Sequence, residues 1–319
     1  MKIVFFEANN EEFVYFKKNL KGHQLKFFSS QLNEKNIKSI SSCNIISAFI
    51  GSKVNSKILD KLPNLKLIIT RSTGFDHIDI EECKKRGIKV SNAPLYAKNT
   101  VAEHAFALLL SLTRQLPIIS NNVRRNKFSI KELKCIDLKG KTLGVIGVGR
   151  IGSNMIKIAS GFQMKIIAHD IIKNKNLEKS IPFQYVSLDF LLRNSDIISL
   201  HIPLTKSTRH LINRSAFSKM KKSVFLINTS RGELIDNSSL LEALNNKKLS
   251  GLGLDVIEGE ELLRNGKSSS ILKEIIGHKN VIFTPHVAYL SNESHLRLLH
   301  ETISIINKFT KNKHLSYIA

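Results

Sequence analysis

The chain has 319 residues, of which 42% are apolar, and a formal net charge of +23; at roughly 150 residues per domain it is long enough for two. Its longest apolar run, 105–110, lies beside Glu103, His104 and Arg114 and falls far short of the ~18 residues of a membrane span, so no membrane association is expected. The lysines are scattered through the whole chain, and no zinc finger, RNA motif or base-reading basic helix accompanies them, so the charge reads as a solvated surface that attracts anions and no specific nucleic-acid partner is expected.

The opening hundred residues alternate strand-like and helix-like segments. Lys2 to Phe6 reads as a first strand rather than a secretory leader, because Glu7 interrupts the apolar run and no small-residue cleavage site follows. A helix is predicted over Glu11–Leu20, strands over Gln24–Phe28 and Asn44–Ile50, a helix over Lys57–Leu62 and a strand over Leu65–Thr70. Asp79 is placed to cap a helix that runs to Arg86 and ends at Gly87, before a strand over Ile88–Val90. Alternation at this period predicts a parallel sheet with helices on both faces. No phosphate fingerprint occurs in this stretch, which therefore reads as a separate, smaller α/β domain. Cys43, Cys83 and Cys135 are odd in number and far apart, as expected of free thiols in a reducing compartment and not of a disulfide or metal framework.

From Asn99 to Leu116 a helix apolar almost all round is predicted, and such a helix is buried. The basic stretch Asn121–Lys141 then leads into KTLGVIGVGRIGSNMIKIASGFQMKIIAHD, from Lys141 to Asp170. Thr142 to Ile146 suits a buried parallel strand, and it breaks into Gly147, Gly149 and Gly152, the G-x-G-x-x-G spacing. Gly147 permits a tight turn and Gly149 lets the backbone approach a pyrophosphate. Gly152 lets the following helix, whose first residues are Arg150 and Ile151, pack closely on the strand, with its N-terminal N–H groups facing the anion. A second strand, Lys165 to Ala168, leads to Asp170, at the distance expected of the carboxylate that binds an adenosine ribose. Glycines inside a strand–turn–helix–strand–Asp unit predict a dinucleotide-binding, doubly wound domain. Lys173 and Lys175 would tolerate a 2′-phosphate, but Asp170 repels one, so NAD is preferred to NADP. The triplet Gly266-Lys267-Ser268 is not a P-loop, because Glu261 stands where its first glycine belongs.

Alternation resumes with strands over Ser195–Ile202, Val224–Thr229, Gly251–Ile257 and Val281–Thr284, helices over Arg214–Met220 and Ser238–Leu244, and a last helix over Asn292–Phe309. Ligands of open α/β sheets bind beyond the carboxyl ends of the strands, and there stand Arg231, then Glu258 and Glu260, then His286. An arginine offers a planar fork of donors that matches a substrate carboxylate. A histidine titrates near neutrality and can deliver a proton to a carbonyl oxygen while hydride reaches the carbon. A glutamate beside it favours the charged ring and fixes its orientation. Singly, each reads more readily as part of a surface ion-pair network; three of them at strand ends of one sheet reverse that and point to a dehydrogenase site.

These residues resemble those of the D-isomer-specific 2-hydroxyacid dehydrogenases, D-lactate dehydrogenase-like members included, through RSTGFDHID, NTVAEHAFALLL, GVIGVGRIG, SLHIPLT, LINTSRGELID, GLGLDV and TPHVA over nearly the whole length. The resemblance implies a Rossmann NAD-binding domain over 99–290. It also implies a smaller flavodoxin-like α/β substrate domain made of 1–98 and 291–319, in a cytoplasmic homodimer built largely on the long helix. It implies a catalytic set of Arg231, Glu260 and His286, Glu260 being preferred to Glu258 because it stands five residues after Asp255. Cofactor contacts are implied for Gly147, Gly149, Arg150, Ile151, Gly152, Asp170, His201, Pro203 and Thr229, with Asp255 on the nicotinamide amide. Backbone N–H groups near Thr73 and Gly74 would meet the substrate carboxylate, and Tyr96 and Tyr289 would line its pocket. The reaction implied interconverts a small 2-oxo acid and its D-2-hydroxy acid, without a metal. The alternatives are an NAD(H)-sensing corepressor-like protein, which would not need the Arg, Glu and His, or a dehydrogenase of another small anion in the same fold.

Overall fold

Short runs of Ile, Val, Leu and Phe, apolar at every position, can be buried only where both faces of a sheet are covered. Most strands of the computed structural model, which describes residues 1–131 and 133–319, come close to this: they are buried at every position or at all but one, although several carry a Ser, Thr, Asn or Gly. The chain divides into two compact units, one formed by Met1–Ala97 with Leu290–Ala319 and the other by Lys98–Tyr289.

In the first unit, strands β1 (Lys2–Phe5), β2 (Gln24–Phe27), β3 (Ile45–Ala48), β4 (Leu67–Thr70) and β5 (Lys89–Asn92) form a wholly parallel sheet in the order β2-β1-β3-β4-β5, the flavodoxin-like order. Successive residues feed opposite faces: Val4, Ile46, Ile68 and Val90 enter one core, and Ile3, Ile45, Leu67 and Ile69 the other. The second core also takes Phe16 and Leu20 from the N-terminal segment and Leu299, Ile305 and Ile306 from the helix Asn292–Thr310. The tail closes on β5, where Ile318 N–H donates to the Val90 carbonyl and Val90 N–H to that of Ala319. Arg71, just past β4, is fully buried. Its Nη2 donates to the carbonyls of Phe6 and Glu7 at 2.8 Å, its Nη1 reaches Ser47 at 3.3 Å, and Glu12 lies 3.9 Å away. Cys43 and Cys83 are free and buried in this unit, and burial pushes both thiols up to about 11.

In the second unit, β6 (Thr142–Ile146), β7 (Lys165–His169), β8 (Gln184–Tyr185), β9 (Ile197–Leu200), β10 (Val224–Asn228), β11 (Leu249–Leu254) and β12 (Val281–Phe283) form a parallel sheet in the order β12-β11-β10-β9-β6-β7-β8. Counted from β6 this is the doubly wound 3-2-1-4-5-6 order with one strand added, and its direction reverses between β6 and β9. The helix Lys98–Thr113 lies against β11, where Gly251 and Gly253 leave space that Leu108 and Leu112 fill.

Boundaries differ from the sequence expectations where short elements are held by capping rather than by pattern. The helix Lys98–Thr113 is followed, past a left-handed Gln115, by a separate helix Leu116–Arg124, where a basic connection was expected. After Asp170 the two-residue β8 and the helix Leu188–Asn194, capped by Ser187, precede β9. The segment after Glu260, to which the sequence assigns no element before Val281, holds the helices Glu260–Arg264 and Ser270–Gly277.

Candidate active site

β6 runs into Gly147, whose φ is +94°, and a side chain there would strike the His201 carbonyl. A Cβ on Gly152 would collide with the Gly147 carbonyl oxygen, so the helix Arg150–Gly161 sits directly on the turn. Open space faces Gly149, the residue that caps this helix. Arg150 and Ile151 form its first turn, with N–H groups that have no partner inside the helix. Asp170 fastens the turn: its Oδ2 accepts from Val148 N–H at 2.5 Å and its Oδ1 from Ile172 N–H at 2.9 Å.

Past β9, His201 Nε2 lies 2.8 Å from Ser199 Oγ, while its enclosed Nδ1 has no hydrogen-bond partner. Burial pulls this imidazole down to about 4, so it is neutral at physiological pH. Pro203 begins the next loop, its carbonyl accepting from Thr208 Oγ1 at 2.7 Å. Thr229, past β10, is buried with its hydroxyl lacking a hydrogen-bond partner. Unpartnered polar atoms at the ends of β9 and β10, with open space at Gly149, suit a dinucleotide that brings its own donors and acceptors.

Arg231 follows on the same turn, where Asn228 Nδ2 donates to its carbonyl at 2.7 Å. The next residue, Gly232, was not singled out in the sequence. A Cβ there would run into the Ile257–Glu258 peptide, so this glycine brings the arginine's turn against the segment that leads to Glu260. The two glutamates after β11 diverge. Glu258 is engaged by Arg209 and by His210, the latter at 2.8 Å. Glu260 Oε1 instead accepts from His286 Nδ1 at 2.7 Å. Burial raises the Glu260 carboxyl, but the hydrogen bond and charge of His286, with Arg264, outweigh it and hold the group below the usual glutamate range.

His286, past β12, has a φ of +58°, a conformation uncommon for a side-chain-bearing residue and one that needs support from its surroundings. Asp255 supplies it. Its carbonyl accepts from His286 N–H at 2.8 Å. Its carboxylate, 1% exposed, takes Thr284 Oγ1 at 2.6 Å and the N–H groups of Val287 and Ala288 at 2.9 and 2.8 Å. His104, on the helix Lys98–Thr113, completes the network with Nε2 3.0 Å from Thr284 Oγ1 and 3.7 Å from Asp255. The sequence reading assigned Asp255 to the nicotinamide amide and passed over His104; in the structure most of the carboxylate's bonding capacity goes to the loop that carries His286. Tyr289 closes this unit.

Thr73, Gly74 and Tyr96 belong to the first unit. Ser72 Oγ donates to the Gly74 carbonyl at 2.6 Å and Asn92 Nδ2 to that of Thr73 at 2.7 Å, which fixes the turn after β4. Tyr96 is 4% exposed, and its carbonyl accepts from Arg297 Nε at 2.7 Å. Among the described residues there is no group of three or more His, Cys, Asp or Glu able to hold a metal ion, and no helix is long and apolar enough to cross a membrane.

Residues 106–288 match the family described as D-isomer specific 2-hydroxyacid dehydrogenase, NAD binding domain. The chain belongs to the D-isomer-specific 2-hydroxyacid dehydrogenases. It is 36% identical to the D-lactate dehydrogenase of Escherichia coli strain K12 over 92% of its own length and 91% of the relative's. A hydroxypyruvate reductase of Thermotoga maritima is 40% identical over 81% and 82% of the two chains. A crystal structure of the Aquifex aeolicus D-lactate dehydrogenase complexed with NAD and lactic acid superposes with a TM-score of 0.90 at 40% identity, covering 97% of this chain and 96% of that one. The matched NAD-binding domain and the NAD-bound neighbour make NAD the cofactor of this dehydrogenase, and the turn at Gly147–Gly152 with the unpartnered Thr229 hydroxyl and His201 Nδ1 fits it.

Proposed function

We propose that this dehydrogenase interconverts a small 2-oxo acid and its D-2-hydroxy acid, of D-lactate size, with His286 as the acid and base. The observation that carries the reading is the 2.7 Å bond from His286 Nδ1 to Glu260. With Nδ1 committed to a carboxylate, Nε2 is the ring atom left to exchange a proton with substrate. The names of the E. coli and Aquifex aeolicus relatives support a lactate-sized acid.

Bound NAD supplies or accepts the hydride. In the direction of reduction, hydride adds to the carbonyl carbon while His286 Nε2 gives its proton to the carbonyl oxygen. Oxidation returns that proton to a neutral ring. Glu260 keeps the ring oriented and stabilises its charged form. Arg231 clamps the substrate carboxylate and polarises the neighbouring carbonyl. Backbone N–H groups near Thr73 and Gly74 and the side chains of Tyr96 and Tyr289 are the further substrate contacts of this reading. On the cofactor, the Gly147–Gly152 turn with Arg150 and Ile151 takes the pyrophosphate, Asp170 the ribose, and His201, Pro203 and Thr229 flank the rest. The remaining acceptor capacity of Asp255 is directed to the nicotinamide amide. In this reading residues 1–98 with 291–319 are the substrate domain, 99–290 the NAD-binding domain, and the enzyme is a cytoplasmic homodimer.

The test is a panel of pyruvate, glyoxylate, hydroxypyruvate and branched and aromatic 2-oxo acids with NADH and NADPH. Consumption of NADH with pyruvate or another small acid is the expected result. NADH binding without turnover of any of them would overturn the reading in favour of a sensor.

A further inference from the structure

A third side chain joins the Glu260–His286 pair. Arg264 lies one helical turn after Glu260 on the helix Glu260–Arg264, and its Nη2 donates to the same Oε1 at 2.7 Å while standing 3.2 Å from His286 Nδ1. A guanidinium only donates. When Nδ1 carries the hydrogen it gives to Glu260, Arg264 therefore faces it donor to donor and, once the ring is charged, cation to cation. One carboxylate oxygen thus serves two competing donors, one of them permanently charged, while Glu260 Oε2 is enclosed with no hydrogen-bond partner.

As an ordinary surface pair on one helix, Arg264 and Glu260 would contribute little, because Arg264 is 44% exposed and solvent screens such pairs. The shared oxygen is what gives the arginine a second consequence. The other charged groups around His286 act from different sides. Asp255 holds the main chain of Val287 and Ala288, and His104 reaches that carboxylate through Thr284. Arg231 ends the turn after β10, and Glu258 is taken up by Arg209 and His210. Arg264 is the cation bonded to the oxygen on which the imidazole depends.

We propose that Arg264 is a positioning residue that holds the Glu260 carboxylate and weakens its support of a charged imidazole, so setting the pH range over which reduction gives way to oxidation. The inference rests on the acid–base reading of His286 given above. Without Arg264 the ring has the whole carboxylate, its protonated form gains, and reduction persists to higher pH.

The experiment compares the pH dependence of kcat/KM for NADH-driven reduction of pyruvate, or of whichever acid of the panel turns over, in the parent enzyme and in Arg264→Leu, Arg264→Lys and His286→Ala. NADH binding by fluorescence verifies folding, and Arg264→Gln replaces the leucine variant if that one does not fold. The expected result is that the high-pH limb moves up by about half a unit to one unit in Arg264→Leu, the smaller end reflecting solvent screening, and stays near the parent position in Arg264→Lys. Superposed limbs for Arg264→Leu and the parent, or an equal shift in Arg264→Lys, overturn the inference. His286→Ala separates the two levels: a dead His286→Ala beside superposed limbs defeats the role of Arg264 alone, whereas a His286→Ala enzyme with the parent's turnover and profile defeats the acid–base reading itself.

Discussion

Asp255 and His286 are tied at two levels: the Asp255 carbonyl accepts the His286 N–H at 2.8 Å, and the Asp255 carboxylate holds the next two N–H groups of the chain. The imidazole's left-handed backbone is therefore maintained by a buried acid on the neighbouring strand end. Asp255→Ala leaves those donors without acceptors. A stability loss of about 2–3 kcal/mol is expected, together with a roughly 100-fold fall in kcat from a displaced ring. Urea unfolding and steady-state kinetics check both. A variant that only raises KM for NADH, with stability intact, would return Asp255 to a cofactor contact alone.

In the proposed site Asp170 would carry two tasks at once, because the oxygens that would face the ribose already hold Val148 and Ile172 N–H groups. Asp170→Ser removes the charge that repels a 2′-phosphate. The ratio of kcat/KM for NADPH over NADH should rise on the order of tenfold or more, and NADH binding should weaken as the turn loosens. An unchanged ratio refutes the specificity role.

His201 makes stability depend on pH. Its ring titrates near 6.5 in the unfolded chain and at about 4 in the folded one, so between these values the unfolded state binds the extra proton. This contribution is retained above about pH 6.5 and lost as pH falls toward 4, by at most about 3 kcal/mol. Urea unfolding of the parent and of His201→Gln at about pH 7 and about pH 5 should show a smaller drop in the variant.

Arg71 is the largest fully buried side chain among the described residues. Arg71→Met removes donors from the carbonyls of Phe6 and Glu7 and leaves Glu12 buried without its counter-charge. A loss of about 3–5 kcal/mol is expected. A melting temperature equal to the parent's would show that the methionine's packing compensates fully.

The two parallel sheets and the glycine turn were legible because they rest on local, repeating signals: short runs rich in Ile, Val, Leu and Phe, a helix apolar almost all round, and glycines where a Cβ would strike a carbonyl. The pairing of Glu260, and not Glu258, with His286 was reached only through family likeness, since both follow β11 and spacing alone leaves them equivalent; Arg209 and His210 take up Glu258 in the structure. Arg264 went unread because it ends a five-residue helix, too short to leave a periodic trace. Arg71 went unread for a different reason. A lone arginine in a sequence suggests solvent, and nothing along the chain announces that the Phe6 and Glu7 carbonyls just past β1 and Ser47 of β3 converge on it.

The reversal of strand order between β6 and β9 divides the inheritance of this domain. Residues 142–186, which build the Gly147 turn and Asp170, lie on one side of it, and residues 197–288, with Arg231, Glu260 and His286, on the other. The β6–β9 ladder is where the two halves are stitched. On the proposed residue roles, cofactor choice and reaction chemistry would be written in separate, consecutive stretches of gene, so exchange of either stretch between related enzymes should transfer one trait and leave the other in place.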